Sequence, residues 1–501
     1  MRSRPLVKTI TVLLLLTGGT LSAADVHNGQ GEMAGEVAET SVILQSRLTR
    51  STVLVDGDLP GSPGVARFEL SAAEDFADPR VTEWMTALPR NDYIVKARVS
   101  GLTPATRYYY RLRYGVDREN TKLGLAATFK TLAGRERSAL VSFVVVTGMN
   151  YAFFQDGAPQ FQRPKYEGHD KSLGYPALAT ILRMKPDFFV GTGDNVYYDH
   201  PADSRARTRT ELRKKWHEQF VQPRFIDLFR QVPTYWEKDD HDHRFNDSDP
   251  HTPVQGYHAW VEDKENPELA QQPSNSLGIE IFREQVPVVD PADKEAVTYR
   301  THRISRELQI WLVEGRDYRS PNGMEDGPSK TLWGKTQIAW LKRTLLESDA
   351  PFKILISPTA MVGPDGATKR DSHVNIGGFQ HEAREFFGWL DRNSRVKRNF
   401  YLICGDRHWQ YHAIHPGGVE EFACGALCDP NAFAAISPGD PNSTDPEGRI
   451  IHRYTQRGQS GGFLRVRVHP PAGERPAQAE FAFYDELGGL LYRTLKFARE
   501  P

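Results

Sequence analysis

Three short apolar runs in this chain each end on acids or histidines, and that repeated ending constrains the fold more than any other feature. DFFVGTGDN (187–195) runs into Gly193-Asp194. VPTYW (232–236) leads into EKDDHDH, where Asp239, Asp240, His241, Asp242 and His243 are consecutive. NFYLIC (399–404) leads into GDRHW, with Asp406 and His408 two residues apart. A run of about four to eight apolar residues closed by a turn reads as a buried strand. In parallel α/β sheets, polar residues just beyond the strand C-termini form the ligand site.

The flanking pattern agrees. SFVVVTG (142–148), ELQIWLVEGRDYRS (307–320) and FKILISPT (352–359) predict further strands. YPALATILRM (175–184), TQIAWLKRTLLES (336–348) and FQHEAREFFGWLDR (379–392) predict helices between them, and such alternation implies an α/β sheet. GGFLRVRVHP (461–470) and a hairpin around Gly488-Gly489 return to β. Residues 262–297, rich in Glu, Pro, Asn and Gln, predict a long surface loop or insertion.

Residues from about 35 to 132 differ in rhythm. SVILQSRL (41–48), VARFELS (65–71), YIVKARVSGL (93–102), TRYYYRLRYG (106–115) and AATFKTL (126–132) are short and β-branched or aromatic. They predict a small antiparallel sandwich, with AGRERSA (133–139) as a polar linker. Of 16 histidines only His27 precedes residue 169, so acid–base and metal chemistry belong to the second region.

Composition bounds the rest. With 501 residues and 39% hydrophobic content the chain can bury a large core. A mean hydropathy of −0.54 and a single long apolar run argue against a membrane bundle. Lys and Arg total 63 against 64 Asp and Glu, which gives no basic field for nucleic acid. The apolar run is at the start: Arg2, Arg4 and Lys8, then Ile10–Leu16, then small residues at Ser22, Ala23 and Ala24. That order is a secretory signal peptide over residues 1–24, too short to span a bilayer. A secreted or periplasmic protein with no transmembrane segment after signal removal is expected. Three cysteines do not make a disulfide scaffold. Cys424 and Cys428 either pair or stay as inert thiols, and Cys404 is expected to be a buried thiol.

Adjacent carboxylates repel unless a cation or solvent screens them, and carboxylate with imidazole is a good ligand set for divalent transition metals. Residues 237–251 hold six acids against Lys238 and Arg244. The alternative for this stretch is a solvated acidic loop. Asp194 alone reads as a turn residue as readily as a ligand. Asp406 and His408 point to one side if extended, or else are a turn Asp and a surface His.

Taken together, G-D-x-x-Y, D-D-H-D and G-D-x-H resemble the two-metal calcineurin-like phosphoesterases, in particular the branch of PhoD-like alkaline phosphatases and phosphodiesterases. GYHAW (256–260), RDYRS (316–320), LWGKTQIAWLKRTL (332–345) and DSHVNIGGFQHEAREF (371–386) extend the similarity over about residues 35–500. VSGLTPATRYYYRLRYG resembles the late strands of fibronectin type III domains, with the turn at Leu102, Pro104 and Thr106 and with Tyr108 and Tyr110 following.

The resemblance implies a two-sheet metallophosphoesterase sandwich flanked by helices over 140–501, preceded by a small all-β fibronectin type III-like domain over 25–134. It implies a metal-activated water that hydrolyses phosphomonoesters or phosphodiesters. Asp194 would bridge two divalent metals, with Tyr197, Asp240, Asp406 and His408 as further ligands. His241 would contact the phosphoryl oxygen or protonate the leaving group, and Arg316 and Arg319 would either fork onto phosphate or form structural ion pairs.

One motif departs from the family. Where the branch has a Cys that holds ferric iron, this chain has Gly148, with Asn150 near the usual Asp. Asn150 is a weaker ligand than a carboxylate, which argues against ferric iron and leaves calcium, zinc, manganese or ferrous iron. Glu314-Gly315 stand where the family has Asp-Thr, and His373 stands where it has Trp. His373 is either a replacement ligand or a surface residue. The expected partner is a phosphate ester; the alternative is a non-catalytic envelope or adhesion protein with a degenerate phosphatase domain. The sequence leaves the oligomeric state open.

Overall fold

The computed structural model describes residues 26–253 and 272–499. The expected signal peptide and the GYHAW motif lie outside the described residues. Two large sheets face each other across one core. The first has nine strands in the order Leu490–Phe497, Gln478–Asp485, Gly462–His469, Val141–Val146, Phe188–Thr192, Thr234–Glu237, Glu32–Gly35, Ser41–Arg47 and Ile94–Ser100. The second has seven: Arg300–Arg303, Leu308–Leu312, Phe352–Ser357, Phe400–Cys404, Glu420–Cys424, Gln410–Ile414 and Ile451–Thr455. Phe143, Val190 and Phe481 of one sheet meet Ile310, Ile354 and Phe422 of the other in that core. Helices Pro176–Met184, Arg209–Phe220 and Asn275–Gln285 cover the outer face of the first sheet. Lys335–Glu347 and Gln380–Arg392 cover that of the second.

The register places the site. Val146 lies beside Gly191 and Gly191 beside Trp236, so three parallel strands end level with one another. In the second sheet Leu312 pairs with Ile356 and Ile356 with Ile403, again parallel. The loops that follow these six strands gather at one edge of the sandwich.

The all-β N-terminal region is split between sheets. Gly64–Ser71 and Arg107–Gly115 anchor a separate six-stranded sheet. Glu32–Gly35, Ser41–Arg47 and Ile94–Ser100 instead extend the nine-stranded sheet, joined where Gly35 pairs with Thr234. Hydrogen bonding therefore continues across the region where the chain itself passes through the 133–139 linker. Tyr108 accepts a hydrogen bond from Thr103 N at 3.0 Å, which ties the Leu-x-Pro-x-Thr turn to its strand.

One expectation needs correction, and one open alternative is decided. The polar stretch 262–297 is not one loop: Asn275–Gln285 is a helix capped by Ser274 Oγ on Leu277 N. Ile281 and Phe282 bury one face of it, enough to hold an otherwise polar helix. Cys404, Cys424 and Cys428 are all free and buried, so Cys424 and Cys428 do not pair.

Glu486 follows the strand Gln478–Asp485 and is buried, with Oε2 lacking a hydrogen-bond partner among the described residues. Burial and the neighbouring Asp429 push it up to about 9. The folded chain keeps this proton to about pH 9, whereas an unfolded chain releases it near the ordinary 4.5. Stability is thus lost as pH rises through that window. Glu486→Gln is expected to raise the melting temperature over wild type by a few degrees at pH 9 and to change it little at pH 4.5. A difference that does not grow with pH would refute this assignment.

Candidate metal centre

The site is built from strand-end loops whose backbones leave the ordinary regions. Asp194 and Asp406, the residues after Gly193 and Gly405, both have φ of 55°. Asp tolerates this left-handed conformation better than most residues, and there it turns a carboxylate back over the strand end. Gly193 has φ of 77°, and a Cβ on it would lie 2.4 Å from Asp239 Cβ. Only glycine lets the two acidic loops approach this closely.

Asp194, Asp240 and His241 converge with ligand atoms within 4.8 Å of one another. A second group, Asp240, Asp247 and Asp371, shares Asp240 with the first and meets the same limit. Asp194 Oδ2 accepts from Tyr197 Oη at 2.9 Å and meets His408 Nε2 at 3.1 Å. Asn431 Nδ2 donates to the same tyrosine oxygen at 2.9 Å. His241 Nδ1 faces Asp199 at 2.8 and 3.0 Å, and Asp199 also accepts from Asn246 N. Asp406 is paired with Arg407, which also reaches Asp365 at 3.1 Å.

The first motif is built differently. Gly148 has φ of 67°, and a Cβ there would lie 3.0 Å from Ala426 Cα and Cβ. Ala426 and Asn431 thus close the position at which a thiolate would stand. Asn150 Oδ1 caps the helix Tyr151–Asp156 by accepting from Phe153 N at 3.1 Å. Its amide nitrogen meets His200 Nδ1 at 2.7 Å. Asn150 therefore stands behind His200 and is not one of the converging groups above.

Arg316, expected at the phosphate, is fully buried. Its Nε donates to Asp239 Oδ1 at 2.6 Å and its Nη1 to Ser248 O at 3.0 Å, while Asp240 and Asp371 lie 3.8 and 3.6 Å from Nη2. Arg319 is likewise engaged, donating to the carbonyls of Gly315 and Asp371. His373 is neither a ligand in these groups nor a surface residue. It is buried against Trp333 and pairs with Glu382 at 2.9 Å.

Electrostatics show what the cluster lacks. Burial raises Asp194 to about 7; His241 opposes this and Asp240 adds to it. Burial and Asp371 raise Asp247 to about 7, although Lys369 donates to it at 3.1 Å. His241 is raised because Asp199, Asp240 and Asp194 outweigh its burial. His408 is lowered to about 3, chiefly by burial, and is neutral. Asp194 Oδ1 and both oxygens of Asp371 are buried without a hydrogen-bond partner among the described residues. Orphaned carboxylate oxygens beside imidazole and phenol form a donor set that fits divalent cations.

Asp199, His200, Asp247 and Asp371 escaped sequence reasoning as site residues. Asp199 and Asp371 lie inside motifs that were recognised, but nothing local says which acids face inward.

The sequence profile of the PhoD-like phosphatase matches residues 143–454, and that of its N-terminal domain matches 18–133. The solved structure of PhoD superposes with a TM-score of 0.68 at 18% identity, covering 95% of this chain and 92% of that one. Purple acid phosphatase PPD1 from yellow lupin (Lupinus luteus) superposes with a TM-score of 0.55 at 11% identity, covering 93% and 73%. Among curated proteins, 125 residues (24% of this chain) are 30% identical to ribosomal RNA small subunit methyltransferase H of Polynucleobacter necessarius. A stretch of 164 residues (32% of this chain) is 27% identical to the protein of the same name from Polynucleobacter asymbioticus. The chain spans 39% and 50% of the lengths of those two proteins. The two-sheet fold is shared with these two solved phosphatases, and with most of the chain matched by the two profiles, this protein belongs to the PhoD-like phosphatase family.

Proposed function

We propose that the protein is an exported, metal-dependent hydrolase of phosphate monoesters or diesters. The observation that carries this is the convergence of Asp194 from one strand-end loop with Asp240 and His241 from another, with a buried carboxylate oxygen of Asp194 making no hydrogen bond among the described residues. Asp194, Tyr197, Asp240, Asp406 and His408 would hold a divalent pair, which when bound neutralises phosphate charge and supplies an activated water. Gly148 and the capping role of Asn150 leave no thiolate or carboxylate at the first motif, which favours calcium, zinc, manganese or ferrous iron over ferric iron.

The protein's own groups then do the following. Asp199 fixes His241 through Nδ1, which presents Nε2 to the substrate. As water oxygen bonds to phosphorus and the ester P–O bond breaks, His241 gives its proton to the departing oxygen, and the carboxylates take the proton of water. Arg316 acts from behind as a positioning residue that neutralises Asp239 and holds the acidic loop. Export rests on the basic, apolar and small-residue order of residues 1–24, and the fibronectin type III-like assignment of 25–134 on its turn and tyrosines. Among the described residues no helix is long and apolar enough to cross a membrane.

A chelator is expected to abolish hydrolysis of 4-nitrophenyl phosphate or bis(4-nitrophenyl) phosphate by the purified protein, with divalent metal restoring it. Chelator-insensitive turnover, or none with metal, would refute the proposal. Asp199→Asn, one layer outside the ligands, is expected to lower kcat by about 10–100-fold, and Asp194→Asn by more. The Asp199→Asn loss should grow as the leaving group becomes more basic; a uniform loss would assign Asp199 to scaffolding. Arg316→Met strands Asp239 unpaired and should destabilise the fold by about 3–5 kcal/mol in urea titrations. A change within error would remove Arg316 from the positioning role.

A further inference from the structure

Beside Asp194, six rings touch in a closed circuit. Tyr197 and His200 have centroids 5.2 Å apart, His200 and Phe153 4.7 Å, and Phe153 and Phe161 6.2 Å. The circuit returns through Phe161 and Phe433 at 6.0 Å, Phe433 and His408 at 5.2 Å, and His408 and Tyr197 at 6.4 Å. One end is buried in the metal centre, where Tyr197 and His408 both contact Asp194 Oδ2. The other end reaches the surface: Phe161 is 43% exposed and Phe433 half-buried.

Three details distinguish this end from a stray exposed phenylalanine. The Arg163 guanidinium lies 5.1 Å over the Phe433 ring. Arg163 is itself buried, and its side chain makes no ion pair with an acid among the described residues. The loop that carries Phe161 and Arg163 is closed by paired hydrogen bonds between Ala158 and Arg163, at 2.9 and 3.0 Å. Phe433 N donates to His408 O at 2.8 Å, so the shelf is tied by backbone to the metal centre. Ring faces beside a guanidinium favour a planar π system, through edge or offset stacking and through cation–π attraction. A saturated group of equal size would gain only its apolar contact.

We propose that Phe161, Phe433 and Arg163 form a subsite for the organic group of the phosphate ester and select a planar aromatic ring held a short linker away from phosphorus. This rests on the phosphoesterase assignment of the Asp194 centre. It narrows the substrate class to aryl-bearing esters, including those whose ring is a nucleobase.

The test uses the full chain with its divalent cation and compares ligands that differ only in the ring. By titration calorimetry, 2-phenylethylphosphonate is expected to bind about tenfold more tightly than 2-cyclohexylethylphosphonate. The matching phosphate monoesters should show the same preference in kcat/KM. Phe161→Leu and Phe433→Leu should each bring the binding ratio towards one, whereas a general folding defect would weaken both ligands alike and leave the ratio unchanged. Equal binding by wild type, or a ratio unchanged in both leucine variants, would overturn the subsite. A preference in binding without turnover of any ester would leave the subsite standing and overturn the hydrolase assignment instead.

Discussion

Asp194, Asp240 and Asp371 are buried in one small volume with the half-buried Asp247 beside them, and burial penalises the charge on each; much of the surrounding structure answers that cost. Arg316 neutralises Asp239 at the back of the loop, Arg407 holds Asp406, and Lys369 approaches Asp247 from the front. Even so, among the described residues both oxygens of Asp371 and Oδ1 of Asp194 make no hydrogen bond, although Arg316 lies 3.6 Å from Asp371. Asp194 and Asp406 take the left-handed conformation at the strand ends, and the bare Gly193 lets Asp239 come near. Such an arrangement of carboxylates and imidazoles fits divalent cations.

At the first motif, the two residues that depart from the pattern expected from the resemblance are both structurally engaged. Gly148 is not simply a lost ligand, since Ala426 and Asn431 fill the space that a side chain would need. Asn150 is not simply a weakened carboxylate, since its two ends are divided between a helix cap and His200. The Asp194, Asp240 and His241 group converges beside this motif without a ligand from it.

Much of the scaffold was legible from periodicity. The apolar runs at 142–148, 187–195, 352–359 and 399–409 are strands, and the amphipathic stretches at 175–184, 336–348 and 379–392 are helices, because alternation and 3.6-residue spacing report burial directly. The helix Arg209–Phe220 went unread although Thr208 and Glu211 form a capping box that its sequence displays. The helix Asn275–Gln285 was hidden by a polar composition that masks one buried face.

The sequence by itself determined that three buried strands would end in acidic and histidine-bearing loops. That is a local fact, carried by residue type and short-range spacing. Tertiary structure alone decided which acids meet. Asp371 lies 131 residues beyond Asp240 and Asn431 lies 234 beyond Tyr197, so no local pattern could pair them. It also decided that N-terminal strands join the central sheet and that Phe161 comes to rest on Phe433. Such contacts depend on the register and packing of whole sheets, which act on distances that periodicity does not encode.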